Sequence, residues 1–374
     1  MRWDIFCSVV DNLGDIGVAW RLARQLAAEH RAVVRLWVDN LLVFHALAPA
    51  LDPQNPCQTL GEIEVRQWPD PFPGVEPVDV VVETFGCDLP QAYLEGMAKR
   101  ARPPVWINLE YLSAEHWVEN CHRLPSPHPR YALTRYFFFP GFTLRTGGVL
   151  IEHGLLAQRR AFQEDSAAMA AFLAGVGVPS KRGQEHLVSM FCYPEAPVRA
   201  LLDAWEAGAQ PLRLLTFQGT AAARMFAGWG FVSGQRRGAL TVDVLPFLSQ
   251  ADYDRVLWAC DWNFVRGEDS FVRAQLAGRP MVWQAYPQTE NSHYLKIEAF
   301  LSRYLANSDP SAAPLSELWR AWNGMNPGAG LAGSWNACLA GQDAIAADAL
   351  RWGDALQETG DLAASLAKFC TERV

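Results

Sequence analysis

The chain has 374 residues, enough at about 100–200 residues per domain for two domains with cores of their own. Half of it is hydrophobic and 19% is charged, which excludes a mainly disordered chain. The 32 Lys and Arg stand against 40 Asp and Glu, a net charge of -8, and the basic pairs Arg159-Arg160, Lys181-Arg182 and Arg236-Arg237 are scattered, which excludes a nucleic-acid footprint.

At the amino terminus, Asp4 and Asp11 interrupt the apolar run that a signal peptide would continue, and no apolar stretch reaches the ~18 residues that span a bilayer. A cytoplasmic protein without membrane contact is expected. Residues 3–10 form an apolar, β-branched strand pattern, followed by the loop Asp11, Asn12, Leu13, Gly14, Asp15. Apolar pairs Val18/Ala19, Leu22/Ala23 and Leu26/Ala27 then recur every four residues, one face of a helix over 16–29, and residues 32–38 restore a strand. This is a βαβ unit. Strands over 78–84 and 105–109 flank a helix over 90–101, and such alternation predicts a parallel sheet with helices on both faces.

A helix over 158–174 leads to a polar, Gly-containing stretch at 175–184, after which a second series begins. Strands are predicted over 186–193, 212–217, 239–245, 262–265 and 280–283, and helices over 196–206, 249–260, 270–277 and 290–305. The closing helices, 344–357 and 361–370, are expected to pack back across the junction. The fold class predicted is α/β, two Rossmann-like domains facing across a cleft. Residues 1–157 form the first domain, 158–184 a connecting helix and linker, 185–357 the second domain and 358–374 a returning helix. The eight cysteines form no CxxC pair, so neither a zinc cluster nor a redox dithiol is indicated.

Three sets of residues carry candidate chemistry. The loop with Asp11 and Asp15 leaves the carboxyl end of the first strand, where open α/β sheets bind ligands; its glycines fit neither GxGxxG nor a P-loop. Asp15 is suited to cap the helix over 16–29, whereas Asp11 precedes that cap by four residues, and the two carboxylates together can orient and deprotonate a cationic nucleophile. The second set is Arg266, Gly267, Glu268, Asp269 and Ser270, between a strand and a helix. A helix amino terminus favours a phosphate or diphosphate, and Arg266 adds a permanent planar cation; ordinary capping by Asp269 or Ser270 is the plainer reading. Third, Phe191, Tyr193 and Phe247 follow strands, where rings can sandwich a flat base, in a chain rich enough in aromatics for most to be core.

The amino-terminal string WDIFCSVVDNLGDIGVAWRLARQL, FCYPEAP from Phe191 and NFVRGEDSFVRAQLAGRPMVWQAYPQ from Asn263 resemble the elongation factor P arginine rhamnosyltransferase family, EarP, from end to end. One departure is Leu13, where an aromatic residue is expected. The resemblance implies a two-domain glycosyltransferase of GT-B type that moves rhamnose from dTDP-β-L-rhamnose to one arginine of elongation factor P, inverting the anomeric centre. It implies an amino-terminal domain for the acceptor and a carboxyl-terminal domain for the donor. Thymine would lie near Phe191, Tyr193 and Phe247, and diphosphate at the Glu268–Ser270 helix start with Arg266. Asp15 would be the base, Asp11 would orient the guanidinium, and Glu268 would assist. No metal and no cofactor besides the donor substrate are expected. The rival readings are a GT-B enzyme with a small-molecule or envelope acceptor and a non-catalytic nucleotide-sugar-binding protein.

Overall fold

The computed structural model describes residues 1–11, 13–179, 183–326 and 330–374. Asn12 of the first candidate loop and the basic pair Lys181-Arg182 lie outside the described residues. The chain divides into two compact units, Met1–His153 with Leu356–Val374, and Gly154–Ala355.

The first unit is built on an eight-stranded sheet. Its strands are β1 (Arg2–Cys7), β2 (Val33–Val38), β3 (Cys57–Leu60), β4 (Ile63–Gln67), β5 (Val80–Thr84), β6 (Val105–Leu109), β7 (Pro125–Pro127) and β8 (Thr134–Phe138). The spatial order is β3-β4-β2-β1-β5-β6-β8-β7, parallel except for the edge pairs β3/β4 and β7/β8. Strand β1 shows why the sheet is covered on both faces. Trp3, Ile5 and Cys7 enter one apolar cluster while Phe6 enters another, so alternate side chains are all buried. The helix Leu13–His30 lays Ile16, Ala19, Leu22 and Leu26 on the first of these faces, joined by Leu362, Leu366 and Phe369 of the final helix, Leu362–Thr371. Asp361 caps that helix through Ala364 N at 2.7 Å, and its other oxygen accepts from Ile151 N at 3.0 Å and Gln25 Nε2 at 3.1 Å.

The second unit has a six-stranded sheet of β9 (His186–Met190), β10 (Leu212–Phe217), β11 (Arg236–Arg237), β12 (Leu240–Leu245), β13 (Trp262–Arg266) and β14 (Met281–Gln284). Its order is β11-β12-β10-β9-β13-β14, with only β11 antiparallel. Counting the parallel strands in chain order, the first sheet reads 3-2-1-4-5-6 and the second 3-2-1-4-5. Both are doubly wound, and each has one switch point where the order reverses, beside β1 and β5 in the first and beside β9 and β13 in the second.

The structure revises several sequence expectations. The first strand ends at Cys7 and the ninth at Met190, so Val9, Val10, Phe191 and Tyr193 belong to the loops that follow. The helix expected over 158–174 is two, Leu155–Glu164 and Ser166–Gly175. Asp165 ends the first in an extended conformation and caps the second through Ala168 N at 2.9 Å. Both belong to the second unit, as does the helix Gln342–Ala355, whereas Leu362–Thr371 belongs to the first.

Candidate functional site

In the first unit, the loop after β1 is held by two carboxylates. Asp39, at the end of β2, accepts from Ser8 Oγ at 2.7 Å and Val9 N at 3.0 Å. Asp15 then accepts from Val10 N at 2.9 Å and Asp11 N at 2.7 Å, both through Oδ2. Asp15 is therefore not the residue that caps its helix from outside. It sits in the first turn of Leu13–His30 and reaches back to amides upstream of that helix, because the helix begins three residues earlier than its apolar pattern does. Only 2% of Asp15 is exposed, and its second oxygen takes the Tyr111 hydroxyl at 3.1 Å. Tyr111 follows β6 and stacks on Phe85, which follows β5, at 4.3 Å between centroids.

Asp11 is half-buried at the mouth of this arrangement. Its carbonyl accepts from Gly14 N at 2.7 Å, and its carboxylate lies so close that a Cβ on Gly14 would stand 2.6 Å from Oδ2. The glycine thus lets the carboxylate rest on the helix start, and both aspartates are gathered where the carboxyl ends of β1, β5 and β6 meet. Cys7 and Cys87 border the same region, and their thiols are raised by burial, with the Asp15 charge next for Cys7 and Glu83 next for Cys87. Both remain neutral thiols, and all eight cysteines are free.

In the second unit the candidates other than Phe247, which follows β12, collect at the β9/β13 switch point. Phe191 and Tyr193 follow β9, Arg266 ends β13, and Glu268 is the N-cap residue of the helix Asp269–Leu276. Arg266 Cζ lies 4.6 Å from the Phe191 centroid and 4.7 Å from that of Tyr193, and Arg266 is 8% exposed. The sequence reading put this guanidinium with the phosphate group; the structure stacks it on the two rings reserved for the base. Tyr193 is fixed by its amide, which donates to Gln284 Oε1 at 2.8 Å, and by the edge of Tyr286 at 5.5 Å. Asp269 accepts from Gln250 Nε2 at 3.2 Å, Ser270 is buried, and Phe247 is half-buried in the segment after β12.

Sequence reasoning missed Tyr111, Phe85, Gln284 and Gln250. Each of them lies immediately after a strand, at a strand end or at a helix start, which was the only signal available. Among the described residues, one group of acids and histidine brings ligand atoms within 4.8 Å of one another, namely Glu29, His30 and Asp361. It lies at the far end of the first helix, and Asp361 already serves backbone amides. Among the described residues no helix is long and apolar enough to cross a membrane.

The family model described as "Elongation-Factor P (EF-P) rhamnosyltransferase EarP" matches residues 3–371. The protein-arginine rhamnosyltransferase of Pseudomonas putida is 51% identical over 98% of both chains, and that of Pseudomonas aeruginosa is 48% identical over 98% of both. A solved structure from "Structural basis for EarP-mediated arginine glycosylation of translation elongation factor EF-P" is 37% identical, covers 100% of this chain and 99% of its own, and has a TM-score of 0.69. A spinosyn rhamnosyltransferase, at 12% identity and a TM-score of 0.52, shares the fold alone.

Proposed function

The chain belongs to the EarP family of elongation factor P rhamnosyltransferases, and from that premise we propose that it transfers rhamnose from dTDP-β-L-rhamnose to an arginine of elongation factor P. It is a glycosyltransferase of the protein-arginine rhamnosyltransferase type. The supporting observation is the Asp11/Asp15 arrangement. A buried carboxylate held in one orientation by two amides and a tyrosine hydroxyl, with a second carboxylate beside it, suits a planar cation and has no use in holding an anionic donor.

The chemistry needs such a pair. A guanidinium has a pKa above ~12 and delocalised nitrogen lone pairs, so an arginine nitrogen becomes nucleophilic only as a carboxylate draws off its proton. In the proposed reaction, Asp11 orients the guanidinium and Asp15 accepts a proton from the attacking nitrogen. The new C–N bond forms at the anomeric carbon as the C–O bond to diphosphate breaks, and dTDP leaves with the electron pair. Attack from the face opposite the leaving group converts β to α. Donor binding is assigned to the second unit, with the base near Phe191, Tyr193 and Phe247. Arg266 and the helix start at Glu268, Asp269 and Ser270 receive the diphosphate, with Glu268 also assisting the acceptor. No metal is invoked.

The reading is tested by transfer assays with dTDP-β-L-rhamnose in which elongation factor P competes with small rhamnose acceptors. Transfer to the protein is expected. Transfer confined to a small acceptor favours an envelope or natural-product role and removes the arginine assignment.

A further inference from the structure

Alternation along β5 sends Val81 and Glu83 to the sheet face opposite the one covered by the helix Leu13–His30. On that face Val81 pairs with Trp106 of β6 and Trp106 with Arg135 of β8, with Glu83 two places further along. Beside the helix Gln91–Lys99 these side chains line a cavity of about 360 Å³. That is the small end of the range for ligand pockets, about 300–1,000 Å³. Glu83 is fully buried, and its Oε1 accepts from Arg135 Nη1 at 2.6 Å. Its Oε2 has no hydrogen-bond partner among the described residues, and neither has Nε1 of Trp106, which is 4% exposed. Burial raises the Glu83 pKa, and the Arg135 charge and the nearby Trp106 indole oppose that rise. An acceptor and a donor thus stand near each other inside one cavity with no hydrogen bond closed between them.

We propose that this cavity binds a neutral, hydroxyl-rich ligand, a sugar either free or attached to a protein. A hydroxyl accepts from the indole N–H and donates to the carboxylate through one oxygen, satisfying both groups at once. An ammonium or guanidinium serves only the carboxylate, and a phosphate only the indole. The carboxylates and guanidiniums lining the cavity balance, Glu83 and Asp88 against Arg130 and Arg135, so their summed charge favours neither a cation nor an anion. Leu89, Leu94 and the Trp106 ring supply apolar wall for the C–H face of a sugar ring. Asp88, exposed and lining the same cavity, offers an acceptor to a second hydroxyl. None of these residues is among those assigned above to rhamnosyl transfer, and all belong to the first unit.

Indole N–H NMR spectra of the full-length protein, labelled in its tryptophans, test this at the site itself. Trp106→Phe identifies which of the 15 indole signals belongs to Trp106. In the wild type, L-rhamnose and methyl α-L-rhamnoside are the probes, the first standing for a free sugar and the second for an attached one. Either is expected to move the Trp106 signal saturably, whereas sodium acetate and guanidinium chloride leave it in place. Glu83→Gln and Asp88→Asn should each weaken the sugar about fivefold, the loss of charge from one hydrogen bond. Asp88→Asn, at an exposed position, stands in if Glu83→Gln does not fold. A Trp106 signal unmoved by both sugars overturns the proposal, since the cavity would then hold water only. A signal moved as far by acetate or guanidinium overturns it too, as does sugar binding unchanged in every folded variant.

Discussion

Asp15→Asn separates the structural work of this residue from its proposed chemistry. The native carboxylate accepts from Val10 N at 2.9 Å, Asp11 N at 2.7 Å and the Tyr111 hydroxyl at 3.1 Å. An asparagine keeps one oxygen for the two amides, and the tyrosine hydroxyl can turn to accept from the new NH2. The loss is mainly charge assistance. Bonds to charged groups contribute about 1.5–3 kcal/mol and neutral ones about 0.5–1.5, so three bonds weakened by about 1 each cost about 3 kcal/mol. For a unit of this size that lowers Tm by roughly 6–12 °C. Rhamnosyl transfer, measured in a single turnover below the unfolding range, is expected to fall about 100-fold to 10,000-fold, the scale of a lost general base. Calorimetric dTDP affinity should hold, because Asp15 belongs to the other unit from the donor residues. Tyr111→Phe is the control: it removes one donor, costs about 1 kcal/mol, and should leave transfer within tenfold. A folded Asp15→Asn protein that transfers rhamnose near the wild-type rate would refute the base assignment.

Three further outcomes follow from particular contacts. Gly148→Ala is expected to destabilise by about 3 kcal/mol or more in thermal unfolding, since φ is +79° and its Cβ would stand 2.0 Å from the Gly360 carbonyl oxygen, beside the chain that returns to the first unit; a shift under 1 °C contradicts that packing. Burial, helped by the nearby Arg123 charge, lowers His122 from 6.5 to about 4. The unfolded chain therefore binds a proton that the folded one refuses, so stability falls as pH drops from about 6.5 toward 4, and His122→Asn should flatten that part of the pH-stability curve. Transfer should survive excess EDTA, because the proposed diphosphate ligands are a helix start and an arginine; loss restored by magnesium or manganese would recast the acids as metal ligands.

Most of the parallel strands were legible because they are buried on both faces and read as short apolar runs; β6 and β10 match their expected bounds to the residue. Parallel β4 and β8, which are only partly buried, and the antiparallel edge strands were not. β7 is three residues bounded by Pro125 and Pro127, and β3 alternates exposed and half-buried positions, so neither carries an apolar signal. Asp11 could be placed on its loop from local pattern alone, whereas Asp15, expected just before the helix, lies in its first turn. What the sequence could not supply were contacts between distant strand ends. Tyr111 meets Asp15 across 96 positions, and Arg266 meets Tyr193 across 73. The second shows the limit: the chain neighbours of Arg266 point to a phosphate ligand, and only the fold shows that its guanidinium also lies over two aromatic rings.

The central claim, transfer of rhamnose to a protein arginine, is tested most directly by tandem mass spectrometry of elongation factor P incubated with the purified protein and dTDP-β-L-rhamnose. A single deoxyhexose on one arginine is expected, dependent on the donor and greatly reduced with Asp15→Asn. Unmodified elongation factor P in the presence of folded, donor-binding protein, or a sugar attached to any residue other than arginine, would contradict it.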